Sequence, residues 1–434
     1  MSPEYVGILG IGFLLALFLL RMPVAFAMAL VGFLGFAYLC GLDPALSLLS
    51  QDIFETFSSY PLSVIPMFIL MGSFAFASGI SERLYKTTHT WVGSLRGGLT
   101  IATVLACSGF AAISGSTAST AATMGKIALP EMRKYKYDIT LATGTVASAG
   151  TLGILIPPST VFIVYGMLVE ESIGKLFVAG IVPGILLTLM FVAVVAILCF
   201  RDPTLGPPGA ATSWKEKIRA TGGIVEALVL FLLAIGGLFL GWFSPTQAGA
   251  IGAGGALLIG LTRRKLTWKN FIESGKDGLL TACMVIFIIT GAVIFGHFLA
   301  VSTIPFLLAD WIGNLPIPKM AVMAVIIFIY FMGGFFMDSM ALIVVTVPIF
   351  YPIVQRLGFD PIWFGVIIVV TAEMGVITPP VGVNVFVIKG IAPDVPLELI
   401  FRGIMPFLAA IILLTIILAL FPQIATFLPN LVSY

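Results

Sequence analysis

Charge is scarce in this chain. Of its 434 residues only 10% are Asp, Glu, Lys or Arg, against about 25% in soluble domains. A water-facing surface cannot be built from so few charges, which excludes an ordinary soluble protein. Cysteine is also rare: Cys40, Cys107, Cys199 and Cys283 stand alone within apolar runs. That spacing offers neither a disulfide framework nor a metal motif, so they read as small buried hydrophobes. No P-loop is present, which excludes ATP as the direct driver of any work done by this chain. A basic tail is missing too, which argues against nucleic acid as a partner.

What the chain has in excess is apolar sequence. It is 59% hydrophobic with a mean hydropathy of +1.14, and runs of about 16 to 25 apolar residues follow one another along its length. This predicts an all-α polytopic membrane protein embedded in a lipid bilayer. The first run, Tyr5 to Leu20, lacks a basic leader and a small-residue cleavage site, so it is expected to be a retained span.

Candidate spans cover 5–20, 24–42, 61–79, 139–167, 176–200, 225–243, 246–262, 278–302, 361–389 and 398–425. Two stretches, 98–130 and 320–352, are too short for two crossings and are interrupted near their centres. The interruptions are "SGSTAST" (Ser114–Thr120) and "GGFFMDSM" (Gly333–Met340). Each stretch is expected to be a re-entrant helical hairpin. All Lys and Arg except Lys126, Lys175, Lys319 and Arg356 then fall on one side, which the positive-inside bias makes cytoplasmic. Both termini are expected outside.

Two double prolines, in "GTLGILIPPST" (Gly150–Thr160) and "AEMGVITPPVGVN" (Ala372–Asn384), interrupt apolar runs. A shift of 222 residues superposes Pro157–Pro158 on Pro379–Pro380, Pro130 on Pro352 and Gly153 on Gly375. It also brings Gly115–Ser116–Thr117 onto Met337–Asp338–Ser339. Beyond these, "WVGSL" at Trp91 pairs with "WIGNL" at Trp311, and "GIVP" at Gly180 with "GIMP" at Gly403. Five spans precede the central loop, so the second half lies inverted relative to the first.

The expected organisation is therefore two inverted-topology repeats. Repeat 1 (1–200) holds scaffold helices 5–79, an interfacial arm 80–97, hairpin 98–130, a broken helix 139–167 and helix 176–200. A cytoplasmic linker, 201–223, leads to repeat 2 (224–434). There the scaffold is 225–302, the arm 303–319, the hairpin 320–352, the broken helix 361–389 and the last helix 398–425. Inverted repeats with matched helix breaks point to a secondary transporter.

Proline removes the hydrogen bond to the carbonyl four residues earlier. The first pair is expected to free the carbonyls of Gly153 and Ile154, with Leu155 beside them. The second is expected to free those of Gly375 and Val376, with Ile377 beside them. Such groups are costly in hydrocarbon unless satisfied, and a dehydrated Na⁺ satisfies several at once. Hydroxyls of Ser114, Ser116, Thr117 and Ser119 at one tip, and Asp338 and Ser339 at the other, stand at matching places. The helix N-termini after the breaks suit a carboxylate, with Ser116, Ser119, Ser159, Asp338 and Asn384 as candidate substrate contacts.

Other polar residues carry weaker expectations. Glu373 beside the second break is either a proton or cation group or the partner of a buried polar residue. Glu226 is expected to snorkel, His297 to be a structural donor, and Asp43, Asp52 and Glu55 to lie in an exposed outer loop. A further alternative is an intramembrane hydrolase built from a Ser of "SGST" and His297.

The stretches "ASAGTLGILIPPST", "GGFFMDSMALIVVTVPIFYPIV", "EMGVITPPVGVNVFVIKGIA" and "SPTQAGAIGAGGALLIGLTRRKLTWKNF" closely resemble the large membrane subunit of tripartite ATP-independent periplasmic (TRAP) transporters. Gln247 departs from the acidic residue expected in "PTEA"-type members. The resemblance implies an elevator-type fold in a bacterial inner membrane, with the hairpins and broken helices moving against a scaffold. It implies Na⁺ coupling, an organic-acid substrate such as a C4-dicarboxylate or sialic acid, and two partners. These are a small four-helix membrane subunit and a periplasmic substrate-binding protein. Carried onto this chain, the cation sites are Ser114, Thr117, Gly153, Leu155 and Pro158, and Asp338, Ser339, Gly375, Ile377 and Pro380. A dicarboxylate symporter of similar architecture that needs no binding protein is the alternative.

Overall fold

Proline and glycine divide the apolar sequence into helices, and a computed structural model, describing residues 1–431, shows where. α1 (Pro3–Leu19) and α2 (Val24–Cys40) meet at a corner made by Pro23, and α3 (Leu42–Ser58) follows Gly41. A 3₁₀ turn at Pro61–Ser63 leads into α4 (Val64–Ala77), and α5 (Ile80–Val92) follows. α6 (Gly98–Ser114) and α7 (Thr117–Lys134) are separated by Gly115 and Ser116 alone. Three pieces come next, α8 (Ile139–Ala149), α9 (Leu152–Leu155) and α10 (Thr160–Leu168), then the long α11 (Ile173–Arg201).

The second part opens with α12 (Trp214–Phe231), which passes through a π-helical turn at Leu232–Gly236 into α13 (Gly237–Phe239). α14 (Pro245–Thr262), α15 (Trp268–Ser302) and α16 (Ile304–Gly313) follow. α17 (Lys319–Gly334) and α18 (Ser339–Leu357) are separated by a short turn, and α19 (Pro361–Ile377) and α20 (Val383–Ile391) by the second double proline. α21 (Leu397–Leu420) and α22 (Gln423–Leu431) complete the described chain, which contains no strand.

Large apolar side chains such as Leu19, Leu20, Phe200 and Trp268 are exposed on the outside, the distribution a lipid solvent allows. Five helices are long and apolar enough to cross a bilayer, or seven if each bent pair counts as one span. The sequence led to ten. Among the helices that fall short, α1, α2 and α19 stop at 17 residues and α4 at 14, roughly 20–26 Å at 1.5 Å per residue, and the 18-residue α14 is not counted either. In the other direction α18 runs 19 residues, through Pro348 and Pro352, and is itself long enough to cross. The expected hairpin end at residue 352 is therefore passed by five residues.

α15 packs along α2 and α4, and α14 along α4. A second group brings α7 and α21 onto α8, and α17 and α21 onto α19. Its core holds Trp363, whose ring N–H donates to the Leu418 carbonyl at 2.8 Å, and Tyr165, whose hydroxyl donates to the Pro361 carbonyl at 2.6 Å. Glycine allows the closest approach. A Cβ on Gly334 of α17 would stand 2.9 Å from the Gly375 Cα of α19, so only a bare backbone fits.

Two polar residues differ from expectation, and Gln247 takes a structural role. Residues 42–58 form a helix rather than an exposed loop, because Ala45, Asp52 and Thr56 recur at helical spacing and are buried. Asp52 Oδ1 lies 3.2 Å from His297 Nε2. Glu226 does not reach out to solvent: it pairs with Arg83 of α5 and, through Arg263 Nε at 2.6 Å, with the end of α14. Gln247 serves as the third residue of α14 in a capping box, accepting from the Ser244 N–H at 2.9 Å. Glutamine fills that role as well as glutamate does.

Candidate functional site

Four helices begin at one place. The first two residues of α7 (Thr117, Ala118), α10 (Thr160, Val161), α18 (Ser339, Met340) and α20 (Val383, Asn384) all line a single cavity of about 530 Å³. The breaks cause this, since each interruption ends one helix and starts another inside the protein. A helix start leaves backbone N–H groups without partners inside the helix and carries roughly half a positive charge. Ser116, Ser159 and Asp338 cap three of the starts, accepting from the N–H groups of Ser119 (3.4 Å), Phe162 (3.2 Å) and Met340 (2.8 Å). α20 starts after Gly382, at φ +60°, with no side-chain cap.

Polarity on the cavity wall is lopsided. Its charged side chains are Asp338 and Glu373, with no Lys, Arg or His among the lining residues. Positive potential in the cavity therefore comes from backbone, and negative charge from two acids. Glu373 is buried and accepts from Ser339 Oγ at 2.8 Å and from Thr117 Oγ1 at 3.1 Å.

The first tip is stitched to the first break. Gly115 takes φ +61°, and its carbonyl accepts from Thr160 Oγ1 at 3.0 Å. A Cβ on Gly115 would stand 2.7 Å from the Pro158 carbonyl oxygen, and one on Gly153 would stand 2.5 Å from that of Ser116. Tip and break are thus in backbone contact. Ser114 Oγ lies 2.8 Å from Thr120 Oγ1. Pro157–Pro158 and Pro379–Pro380 are both joined by cis peptide bonds, but their surroundings differ. Residues 157 and 158 are buried, whereas 379 and 380 are exposed.

The candidate residues divide accordingly. Ser114, Ser116, Thr117, Ser119, Asp338, Ser339 and Asn384 line the cavity. Gly153, Leu155, Pro158, Ser159, Gly375, Ile377 and Pro380 do not, although Ile154, Thr160 and Val376 beside them do. Ser159 is fully buried as a helix cap. The Leu155 carbonyl lies against Gly180 of α11, where a Cβ would overlap it. The Gly375 carbonyl accepts from the Thr378 N–H at 3.0 Å, so only its second lone pair is left. Asn384 donates to the Ala147 carbonyl at 3.0 Å, and its own Oδ1 has no protein partner.

One wall had no counterpart in the motif reading. Ile69, Gly72 and Ser73 of α4, with Thr281, Met284, Val285 and Ile288 of α15, close the cavity. Their spacing of three and four residues is the available signal, but any membrane helix shows it. A second cavity of about 510 Å³ adjoins the first, with Ser73, Ser119 and Thr281 in the walls of both. It runs between α7 (Thr123, Lys126) and α15 (Asn270, Glu273, Asp277).

His297 lies beside Asp52 and is not among the residues lining the cavity, while Ser114 lines it.

Comparison with known proteins agrees with this architecture. Residues 11–424 match the family described as "Tripartite ATP-independent periplasmic transporter, DctM component". The chain is 39% identical to the C4-dicarboxylate TRAP transporter large permease protein DctM of Pseudomonas aeruginosa, over 88% of this chain and 89% of that protein. It is 30% identical to the sialic acid TRAP transporter large permease protein SiaM of Vibrio cholerae, over 96% and 97%. Among solved structures, the YdaH transporter of Alcanivorax borkumensis has a similar fold, with a TM-score of 0.67 at 16% identity, covering 88% of this chain and 89% of that one.

Proposed function

Because the chain belongs to the DctM component family of tripartite ATP-independent periplasmic transporters, we propose that it carries an organic carboxylate inward across a bacterial inner membrane. The observation that carries this reading is the convergence of four helix N-termini on one cavity. An anion there meets aligned backbone dipoles and N–H groups rather than a fixed positive side chain. That gives binding without the tight grip of a buried ion pair, which suits a substrate that must also leave. Relatives named for C4-dicarboxylates and for sialic acid support a carboxylate as the shared feature.

Na⁺ is the coupling ion of this proposal, and the residues fit it in part. Oxygens of Ser114, Thr117, Gly153 and Pro158 would hold it at the first tip, where backbone contact joins tip and break. Asp338, Ser339, the remaining lone pair of Gly375 and the carbonyls of Ile377 and Pro380 would do so at the second. Bound Na⁺ would supply positive charge beside a substrate anion. Leu155 is left out of the set, since its carbonyl is turned to Gly180.

Movement is assigned to the two tips, the broken helices and the helices packed on them, one such set from each inverted repeat, sliding on the scaffold helices α2, α4, α14 and α15. The joined cavities lie between α7 on the moving side and α4 and α15 on the fixed side. The second cavity is the exit toward the cytoplasm, where most basic residues gather, and both chain ends face the periplasm. A small membrane subunit and a periplasmic binding protein complete the assembly, the latter delivering substrate.

Uptake of labelled C4-dicarboxylates and sialic acid into proteoliposomes tests this, with the small subunit and binding protein supplied or withheld. The expected result is accumulation that requires an inward Na⁺ gradient and the binding protein. Equal uptake without either one overturns the reading.

A further inference from the structure

Lys126 is the one basic residue within either hairpin stretch, 98–130 or 320–352. A shift of 222 residues puts it on Pro348, so the second half carries no counterpart. Its side chain is exposed and lines the second cavity, on the same face of α7 as Ser119 and Thr123. Among the described residues it is the one basic side chain lining either cavity.

The wall across from it carries the other sign. There α15 presents Glu273 and Asp277, one helical turn apart, while the contribution of α4 (Ser73, Phe76 and Ala77) is uncharged. Among the described residues no ion pair includes Lys126 or Asp277. Glu273 reaches Lys269 of its own helix at 3.9 Å, with both side chains exposed. α7 packs on α6, α8 and α20, whereas α15 packs along α2 and α4. The two charged faces therefore belong to separate groups of helices, with the second cavity between them.

This arrangement decides how the cavity can close. While it is open, charges held apart are solvated and cost little. When the walls approach and water leaves, an unpaired lysine or carboxylate becomes strongly destabilising, and the attraction between opposite charges grows as the local dielectric falls. Closure is therefore favoured only in a register that brings Lys126 to a carboxylate. Asp277 is the partner free to meet it, because Glu273 already has Lys269. Asp277 also stands one turn from Thr281, which is in the walls of both cavities. Ser119 and Ala122 on one side and Ser274 on the other are short, so no bulky side chain keeps the walls apart.

We infer that Lys126 and Asp277 are the two halves of a gate, apart while the second cavity is open and paired across it when the cavity shuts. The inference rests on the transport reading only for what the gate lets pass. The pairing itself requires no more than the approach of α7 to α15.

The test is thiol labelling of the purified full chain in detergent, without substrate. In a chain with Cys40, Cys107, Cys199 and Cys283 replaced, Ala77→Cys places one thiol on the uncharged wall, and its rate with a small thiol reagent reports how often the cavity is open. Lys126→Gln and Asp277→Asn are each expected to raise that rate several-fold, because each removes the contact of the shut form. A merely local effect of charge on the thiol would act in opposite directions, slowing labelling when the lysine is lost and speeding it when the acid is lost. The exchange Lys126→Asp with Asp277→Lys is expected to return the rate to that of the parent, and Glu273→Gln to change it less than Asp277→Asn does. Lys126→Met and Asp277→Ala serve where a first variant does not fold. The inference is overturned if the neutral variants leave the rate unchanged or move it in opposite directions, or if the exchange does not restore it. Absence of carboxylate uptake would count against the transport reading alone, because the labelling requires no substrate.

Discussion

A proline in a helix withholds one hydrogen bond, and the outcome depends on what stands beside the carbonyl left over. At Pro157–Pro158 the neighbour is the Gly115–Ser116 backbone, close enough that neither Gly115 nor Gly153 has space for a Cβ. At Pro379–Pro380 the prolines are exposed, and the carbonyl of Gly375 already accepts from Thr378. Two motifs matched in sequence are therefore in different environments, one enclosed and one open. Gly375 is nevertheless fixed from its other side, against Gly334 of α17. Gly375→Ala forces two backbones apart, and overpacking of this kind costs about 1–3 kcal/mol. A lower thermal midpoint and impaired uptake are expected of Gly375→Ala, while Gly390→Ala, where a Cβ meets nothing within 4 Å, should leave both unchanged. Equal behaviour of the two variants would show that the close approach is not needed.

Helices here are positioned by a few polar ties as well as by packing. α5 lies against α6 and α12, and Glu226 of α12 holds Arg83 of α5 and Arg263 at the end of α14 together. With Glu226 largely buried and Arg263 more exposed, Glu226→Gln is expected to cost about 1–3 kcal/mol. The loss should appear as a lower thermal midpoint that high salt does not restore, whereas an unchanged midpoint would make the cluster incidental. Such ties mark the limit of the sequence reading. The breaks at Gly115–Ser116 and at the double prolines were legible because glycine and proline act locally. Asp52 was not: its burial depends on His297, 245 positions away. Nor was the wall made by α4 and α15, because its apolar spacing is shared by every membrane helix. Helix ends shifted for a similar reason, since Pro348 and Pro352 are tolerated within α18 where tertiary packing supports it.

At the scale of the whole molecule, the two tips and the two double-proline breaks meet in one region. Four helix starts, two tips and two acids share a cavity that adjoins a second one along α7 and α15. Backbone supplies the attraction for an anion, and the acids demand cations, so binding of the two is expected to be mutually dependent. The most direct check is chemical protection of the cavity. In a chain with Cys40, Cys107, Cys199 and Cys283 replaced, Ser116→Cys places one thiol on the cavity wall. Its labelling rate with a small thiol reagent is measured with Na⁺ or choline, each with and without a panel of carboxylates. The account predicts that the thiol is labelled freely and that a transported carboxylate slows labelling only when Na⁺ is present. Labelling that no transported carboxylate alters, or protection that is identical in choline, would contradict it.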